Sequence, residues 1–223
     1  MKEGWKYKKL CEVLRTTSGG TPSKEHTEYF GGDIPWLRSG EVANRNINKT
    51  ELKITELGLK NSSAKWIPQD SVVIAMYGAT VGDVGILRIP ATTNQAVCSI
   101  LPNPDYCPDF LYYYFKSQKQ FFIKQSVGGA QPNISQQIIK NTVIPVIDIA
   151  EQKRIVSELD LLANIIDNQN LEGKTLPTRA CHCHCMEKNR RHAELGHPCF
   201  STSRYRRMQN SHSHHLPMQG CPQ

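Results

Sequence analysis

The chain has 223 residues, 39% of them hydrophobic and 21% charged, with a formal net charge of +7. That length and balance suit one well-packed core with a small appendage and exclude a wholly disordered chain. The opening residues MKEGWKYKKL hold no apolar signal core, and no apolar run nears the ~20 residues of a membrane span, so the expectation is a cytoplasmic protein without membrane contact.

LCEVLRTT reads as a short helix or strand leading into a glycine-rich loop, TTSGGTPSKEHTEYFGGDIPW. Ile34–Ser39 reads as a short strand, and Ile54–Ala64 as a short helix weakened by Gly58. Three apolar, β-branched runs follow, SVVIAMY at 71–77, VGILRI at 84–89 and AVCSIL at 96–101, each bounded by Gly, Pro, Asn or Asp, as strands are. A helix begins at Pro108, a natural first helical residue, and stops near Gly128. SQQIIKN is one or two helical turns capped by Ser135, and TVIPVI is a last strand that Pro145 places at an edge. DIAEQKRIVSELDLLANIIDNQN then opens with Asp148 and Glu151 in a capping signature. Ile155, Leu159, Leu162 and Ile166 follow at heptad spacing, and the seam breaks at Gln169, Gly173 and Pro177. So short a seam needs a surface to pack on, either its own domain or another helix. The class is α+β, one domain of mixed short strands and helices with a C-terminal helix of coiled-coil type. The expected divisions are 1–147 for the domain, 148–170 for the helix and 171–223 for a tail.

Composition sets that tail apart. Residues 1–170 carry a net charge of only +2, whereas 171–223 carry +5, with five of the eight cysteines and seven of the eight histidines. ACHCHCMEK alternates thiols and imidazoles, which point neighbours to opposite sides, whereas a structural zinc site spaces its cysteines so that the chain can wrap the ion. The readings are a disordered or out-of-frame extension, or an adventitious metal binder, and no metal site is assigned. Cys11, Cys98 and Cys107 are too scattered for a disulfide framework.

No catalytic constellation emerges. SGGTPSK lacks the Gly-Lys-Ser/Thr order of a nucleotide loop. Its glycines serve either a tight turn of positive φ or a loop that lets another backbone, such as a DNA phosphate chain, come close. NPDY at 103–106 is similar to the base-holding motif of adenine amino-methyltransferases, but Asp105 stands where a second proline belongs. Pro-Asp followed by EQK at 151–153 imitates a metal-dependent nuclease motif, with Glu151 in the first turn of a helix where it offsets the dipole. His26 is the one histidine of the first 170 residues, so no triad can be drawn. The polar loops at 77–85, 92–96 and 128–135 combine glycine with Thr, Asn and Gln. Such side chains suit base-edge recognition as well as ordinary turns.

The order of WKYKKLCEVL, GGTPS, EYFGGDIPWLRSGE, IPQDSVVIAMYGATVGDVGI, TNQAVCSI, PDFLYYYF, GGAQPNIS and IPVIDIAEQKRIVSELD resembles one family. Over residues 5–168 the chain is similar to one target-recognition half of a type I restriction-modification specificity subunit. The resemblance implies a non-catalytic domain that reads a few base pairs of duplex DNA, and a spacer helix that packs antiparallel on a second half. Modification and restriction subunits would be the partners, carrying S-adenosylmethionine, ATP and magnesium, so the chain itself needs no cofactor. A full subunit has two halves in tandem; this chain has one, so a second copy of itself is a further candidate partner. The residues expected to face DNA are Ser18, Thr21, Lys24, Arg38, Ser39, Tyr77, Thr80, Asn94, Gln95, Gln131 and Asn133. Arg38 and Lys24 suit guanine or phosphate, and Asn94, Gln95 and Gln131 suit adenine. Ile155, Leu159, Leu162 and Ile166 are expected at the helix interface. The alternatives are a fragment of a restriction or methylation enzyme, and a protein-interaction module with a metal-binding tail.

Overall fold

A computed structural model describes residues 4–126 and 132–172, with side chains as far as residue 166. The strands are β1 (Lys6–Lys9), β2 (Thr16–Ser18), β3 (Phe30–Leu37), β4 (Asn46–Ile47), β5 (Leu52–Ile54), β6 (Trp66–Ile67), β7 (Val72–Ala75), β8 (Val84–Leu87), β9 (Ala91–Thr93), β10 (Val97–Ile100) and β11 (Val143–Val146). The helices are α1 (Leu10–Val13), α2 (Glu56–Lys60), α3 (Pro108–Ser117), α4 (Lys119–Gln125), α5 (Gln136–Lys140) and α6 (Ile149–Glu172).

A five-stranded sheet, in the order β2-β10-β7-β8-β4, is the middle layer. Its central strands are apolar on both faces because both are covered. Val72 and Ile74 of β7, with Ile86, Cys98 and Ile100, pack against Phe110, Leu111, Phe115 and Phe122 of α3 and α4. Val73 and Ala75 point the other way, onto Leu37, Ile67 and Ala91 of a four-stranded sheet ordered β5-β3-β9-β6. Period-two alternation between two apolar layers explains why these strands read as continuous hydrophobic runs. The far face of the four-stranded sheet buries Ile34, Trp36 and Ile54 beneath Ala64 and the half-buried Leu59.

The expected strands at 71–77, 84–89 and 96–101 are β7, β8 and β10. LCEVLRTT divides into α1 and β2, and the strand expected from Ile34 starts earlier, at Phe30. Its extra residues form a bulge in which both Phe30 and Ile34 pair with Ile54, with Gly31 at a φ of 79° that a side chain rarely tolerates. The helix begun by Pro108 is interrupted at Gln118, whose N–H bonds back three residues to Phe115 and so ends α3 before α4 begins. The stop expected at Gly128 lies outside the described residues. Among the described residues, β11, the Pro145 strand, pairs with β1 alone, antiparallel, with Tyr7 opposite Pro145.

At the start of α6, the Asp148 carboxylate accepts from the Glu151 N–H at 2.9 Å, as the capping signature requires. Glu151 in turn pairs with Arg154 at 2.7 Å, on the helix surface. Gln152 is fully buried and ties α6 to the body. Its amide donates to the Asp105 and Ile147 carbonyls at 2.7 and 3.0 Å and accepts from the Cys107 N–H at 2.8 Å. Among the described residues, no helix is long and apolar enough to cross a membrane.

Candidate functional site

The polar loops gather at one end of the middle sheet, and the strand register explains how. β10 runs antiparallel to both β2 and β7, pairing Cys98 with Ser18 and Val97 with Ala75. The residues that follow β2, precede β10 and follow β7 therefore emerge together. β3 lies parallel to β9, with Leu37 beside Thr93, which brings Arg38 to the same end. Asn94 N–H reaches the Leu37 carbonyl at 2.9 Å, and Met76 N–H the Ala96 carbonyl at 2.8 Å. On the other flank, Tyr77 and Asn133 form a β-bridge, and the Gly78 N–H donates to the Pro132 carbonyl at 2.8 Å.

The pair Gly19-Gly20 forms the floor of this site. Neither residue has positive φ. A Cβ on Gly19 would lie 1.8 Å from the Thr93 carbonyl oxygen, and one on Gly20 would lie 2.2 Å from Ser63 Oγ. The backbone that comes close is thus the protein's own: Gly20 N–H donates to the Thr93 carbonyl at 2.9 Å, and Trp36 Nε1–H to the Gly20 carbonyl at 3.0 Å. The contact also places Ser63, with Lys65 and the half-exposed Trp66 close behind in the chain, next to the glycine loop. Sequence reading missed that neighbour because nothing local marks it.

The individual side chains differ in how free they are. The Thr21 hydroxyl donates to the Gln95 amide oxygen, fixing which way that exposed amide faces. The oxygen keeps a second lone pair, and the NH2 end has no partner among the described residues. Asn94 is turned inward on itself, its Oδ1 accepting from the Ala96 N–H at 3.2 Å. Thr80 caps its own turn on the Tyr77 carbonyl at 3.1 Å. Tyr77 is 46% exposed, Asn133 and Lys24 are exposed, and Ser18 and Ser39 are half-buried. Arg38 is held by two carboxylates, Glu51 at 2.5 Å and Glu41 at 3.5 Å, so any contact with an outside anion would compete with these. Gln131 lies outside the described residues.

Asn103–Tyr106 is a structural turn: Asn103 Oδ1 accepts from the Asp105 N–H at 2.8 Å, and the buried Tyr106 donates to the Pro145 carbonyl at 3.3 Å. Among the described residues, no group of three or more His, Cys, Asp or Glu side chains could hold a metal ion. The Cys/His tail lies outside them.

Along α6 the seam residues divide. Ile155 is half-buried against the domain's own core beside Val156, and Leu159 is also half-buried. Leu162 and Ile166 are 55% and 57% exposed, and Leu161 and Ile165 join them at 61% and 44%. Between the two stretches stands Asp160, part of a charged network that the sequence did not reveal. Arg45 pairs with Asp160 at 2.5 Å and with Asp109 at 2.8 Å; Arg88 pairs with Asp109 at 3.0 Å and Asp70 at 2.8 Å. The Tyr113 hydroxyl donates to Asp160 at 2.5 Å. Its hydrogen bond from Arg45 holds the Asp160 carboxyl below the usual carboxylate range, while burial and then the bond to Asp160 push the Tyr113 phenol up to about 12.

Residues 2–175 match the family model of the type I restriction modification DNA specificity domain. The chain is 31% identical over 177 residues to the type I restriction enzyme MjaIX specificity subunit of Methanocaldococcus jannaschii, covering 77% of this chain and 41% of the relative. It is 31% identical over 173 residues to the EcoR124I/EcoR124II specificity subunit of Escherichia coli, covering 75% and 43%. It thus spans about two fifths of the length of the curated relatives it matches. Its fold is similar to that of the HsdS subunit from Thermoanaerobacter tengcongensis, with a TM-score of 0.61 at 18% identity over 77% of this chain and 40% of that one.

Proposed function

Because the chain belongs to the type I restriction-modification DNA specificity domain family, we propose that it is a non-catalytic DNA-reading subunit or half-subunit that directs adenine methylation and restriction by partner proteins. The observation that carries this reading is the convergence of polar loops at one end of the sandwich, on a floor that only Gly19 and Gly20 permit. Phosphate contacts from Lys24 would set register, and side chains such as Gln95, Tyr77 and Asn133 would meet base edges. Gln95 suits adenine: its exposed amide, oriented by the Thr21 hydroxyl, would accept from N6 and donate to N7. The partners are double-stranded DNA, a modification subunit carrying S-adenosylmethionine, and restriction subunits using ATP and magnesium. A cytoplasmic location goes with this role.

The exposed Leu161, Leu162, Ile165 and Ile166 lie within one helical stripe and are the surface for a second helix, supplied by another copy of the chain. Leu162→Glu combined with Ile166→Glu should convert a dimer into monomers in sedimentation velocity, without lowering the melting temperature of the body.

The deciding experiment is a methylome. The chain is expressed with a type I modification subunit from the same source, and methyladenine is mapped across the host genome. A symmetric bipartite motif is the expected result; methylation that ignores the chain's presence would overturn the reading. With that motif in hand, Gln95→Ala should weaken binding to the cognate duplex by about tenfold and relax one position of the motif. Lys24→Ala should weaken all sequences alike and reduce the salt slope by about one unit.

A further inference from the structure

We infer that the Arg45 guanidinium is a positioning residue, a clamp that fixes the direction in which α6 leaves the domain and thereby the spacing between half-sites that the assembly accepts. The second part rests on the DNA-reading role proposed above; the first does not.

A helix anchored at one place can swing about it, whereas two anchors define a line. Gln152 is the first anchor, fully buried, with three hydrogen bonds to backbone groups, and Ile155 and Val156 pack on the core in the turn that follows. Asp160 is the second, eight residues or ~12 Å further along the axis. Both Asp160 oxygens are within reach of Arg45, Oδ1 at 2.5 Å and Oδ2 at 3.3 Å. The same guanidinium reaches Asp109 in the first turn of α3 at 2.8 Å and lies 4.9 Å from the centre of the Tyr113 ring. Arg88 holds Asp109 from the other side. The clamp therefore ties α6 to α3, and through the loop before β4 and the end of β8 to the middle sheet that carries the recognition loops. Beyond Asp160 the helix presents its exposed apolar stripe.

Lever length makes the clamp matter. Residue 172 lies ~30 Å from Gln152 along the axis. With Gln152 as pivot, ~1 Å of slack at Asp160 becomes ~2.5 Å at residue 172, approaching the ~3.4 Å rise of one base pair. A planar fork is needed because a single group must meet Asp160 and Asp109 at once and also stack on an aromatic ring. A lysine ammonium, a compact point charge, cannot do all three.

The test compares the full chain with Arg45→Met and Arg45→Lys. Nitroxides are placed at Lys60 and Asn164 through non-canonical amino acids, and labelled chains are diluted in unlabelled ones so that only distances within one chain are read. The expected result is one narrow distance for the parent and at least a twofold broader distribution for both variants, with the melting temperature of the body nearly unchanged for Arg45→Lys. An unchanged width in Arg45→Met overturns the clamp. In the methylome assay, both variants should keep the parent's half-site sequences but accept spacers one base pair longer or shorter. Broader distances with a spacer still held to one length would overturn the link to spacing. If the parent itself gives no bipartite methylation, the DNA-reading role fails, and the distance measurement still decides the clamp.

Discussion

Gly19→Ala should destabilise the protein by about 3 kcal/mol and cost it sequence-specific DNA binding in the same step. A methyl group there would stand 1.8 Å from the Thr93 carbonyl oxygen and 2.3 Å from Thr93 Oγ1, and neither can yield cheaply. Thr93 ends β9, and its carbonyl accepts the Gly20 N–H, so pushing it away breaks that bond. Asn94 and Gln95 follow directly, so the site moves with it. For a chain of this size the loss corresponds to a fall of roughly 6–12 °C in melting temperature. Gly40→Ala is the control, because a Cβ at Gly40 has nothing within 4 Å. Calorimetry and a fluorescence titration with cognate duplex, made below the variant's melting point, check both halves. A folded Gly19→Ala that binds with parental affinity would show that the floor does not shape the site.

Gln152→Ala should cost about 2–3 kcal/mol. The substitution removes one fully buried side chain and three hydrogen bonds, from the Cys107 N–H and to the carbonyls of Asp105 and Ile147, each worth about 0.5–1.5 kcal/mol net. A water in the space left by the side chain would recover part of the loss, since Asp105 is exposed and Cys107 and Ile147 are half-buried. Hydrogen exchange should show the loss concentrated in the 103–107 turn and the first turns of α6. A uniform loss across the sheets would instead mean that the residue merely contributes to the global core.

What the sequence revealed follows from how each element is stabilised. β7, β8 and β10 are buried on both faces, so burial wrote itself into apolar runs that only Ser99 interrupts. β1 is Lys-Tyr-Lys-Lys, held by backbone pairing to β11 on an exposed edge, and no hydrophobic pattern marks it. β9 has three residues and becomes a strand only between β3 and β6. The glycine pair was legible as a special place but not its cause, since Thr93 and Ser63 are remote in sequence. The Arg45–Asp160 pair, 115 residues apart, left no local trace at all. The seam on α6 was visible as periodicity, yet periodicity does not say that Ile155 packs inward while Leu162 stays outside.

The pairing of β1 with β11 also bears on how the protein is made. Lys6 to Lys9 meet partners at Val143 to Val146, nearly the full length of the domain later. At about 5–20 residues per second, the first strand waits roughly 7–30 s for its partner to be synthesised. Until then its edge is open, and the helix that follows β11 has no finished body to dock on. Closure is thus a late, long-range event, slow because a large loop must be confined before any contact offsets its entropy. A nascent chain released early would have its central strands in place and its two ends unjoined, a state suited to capture by chaperones or proteases.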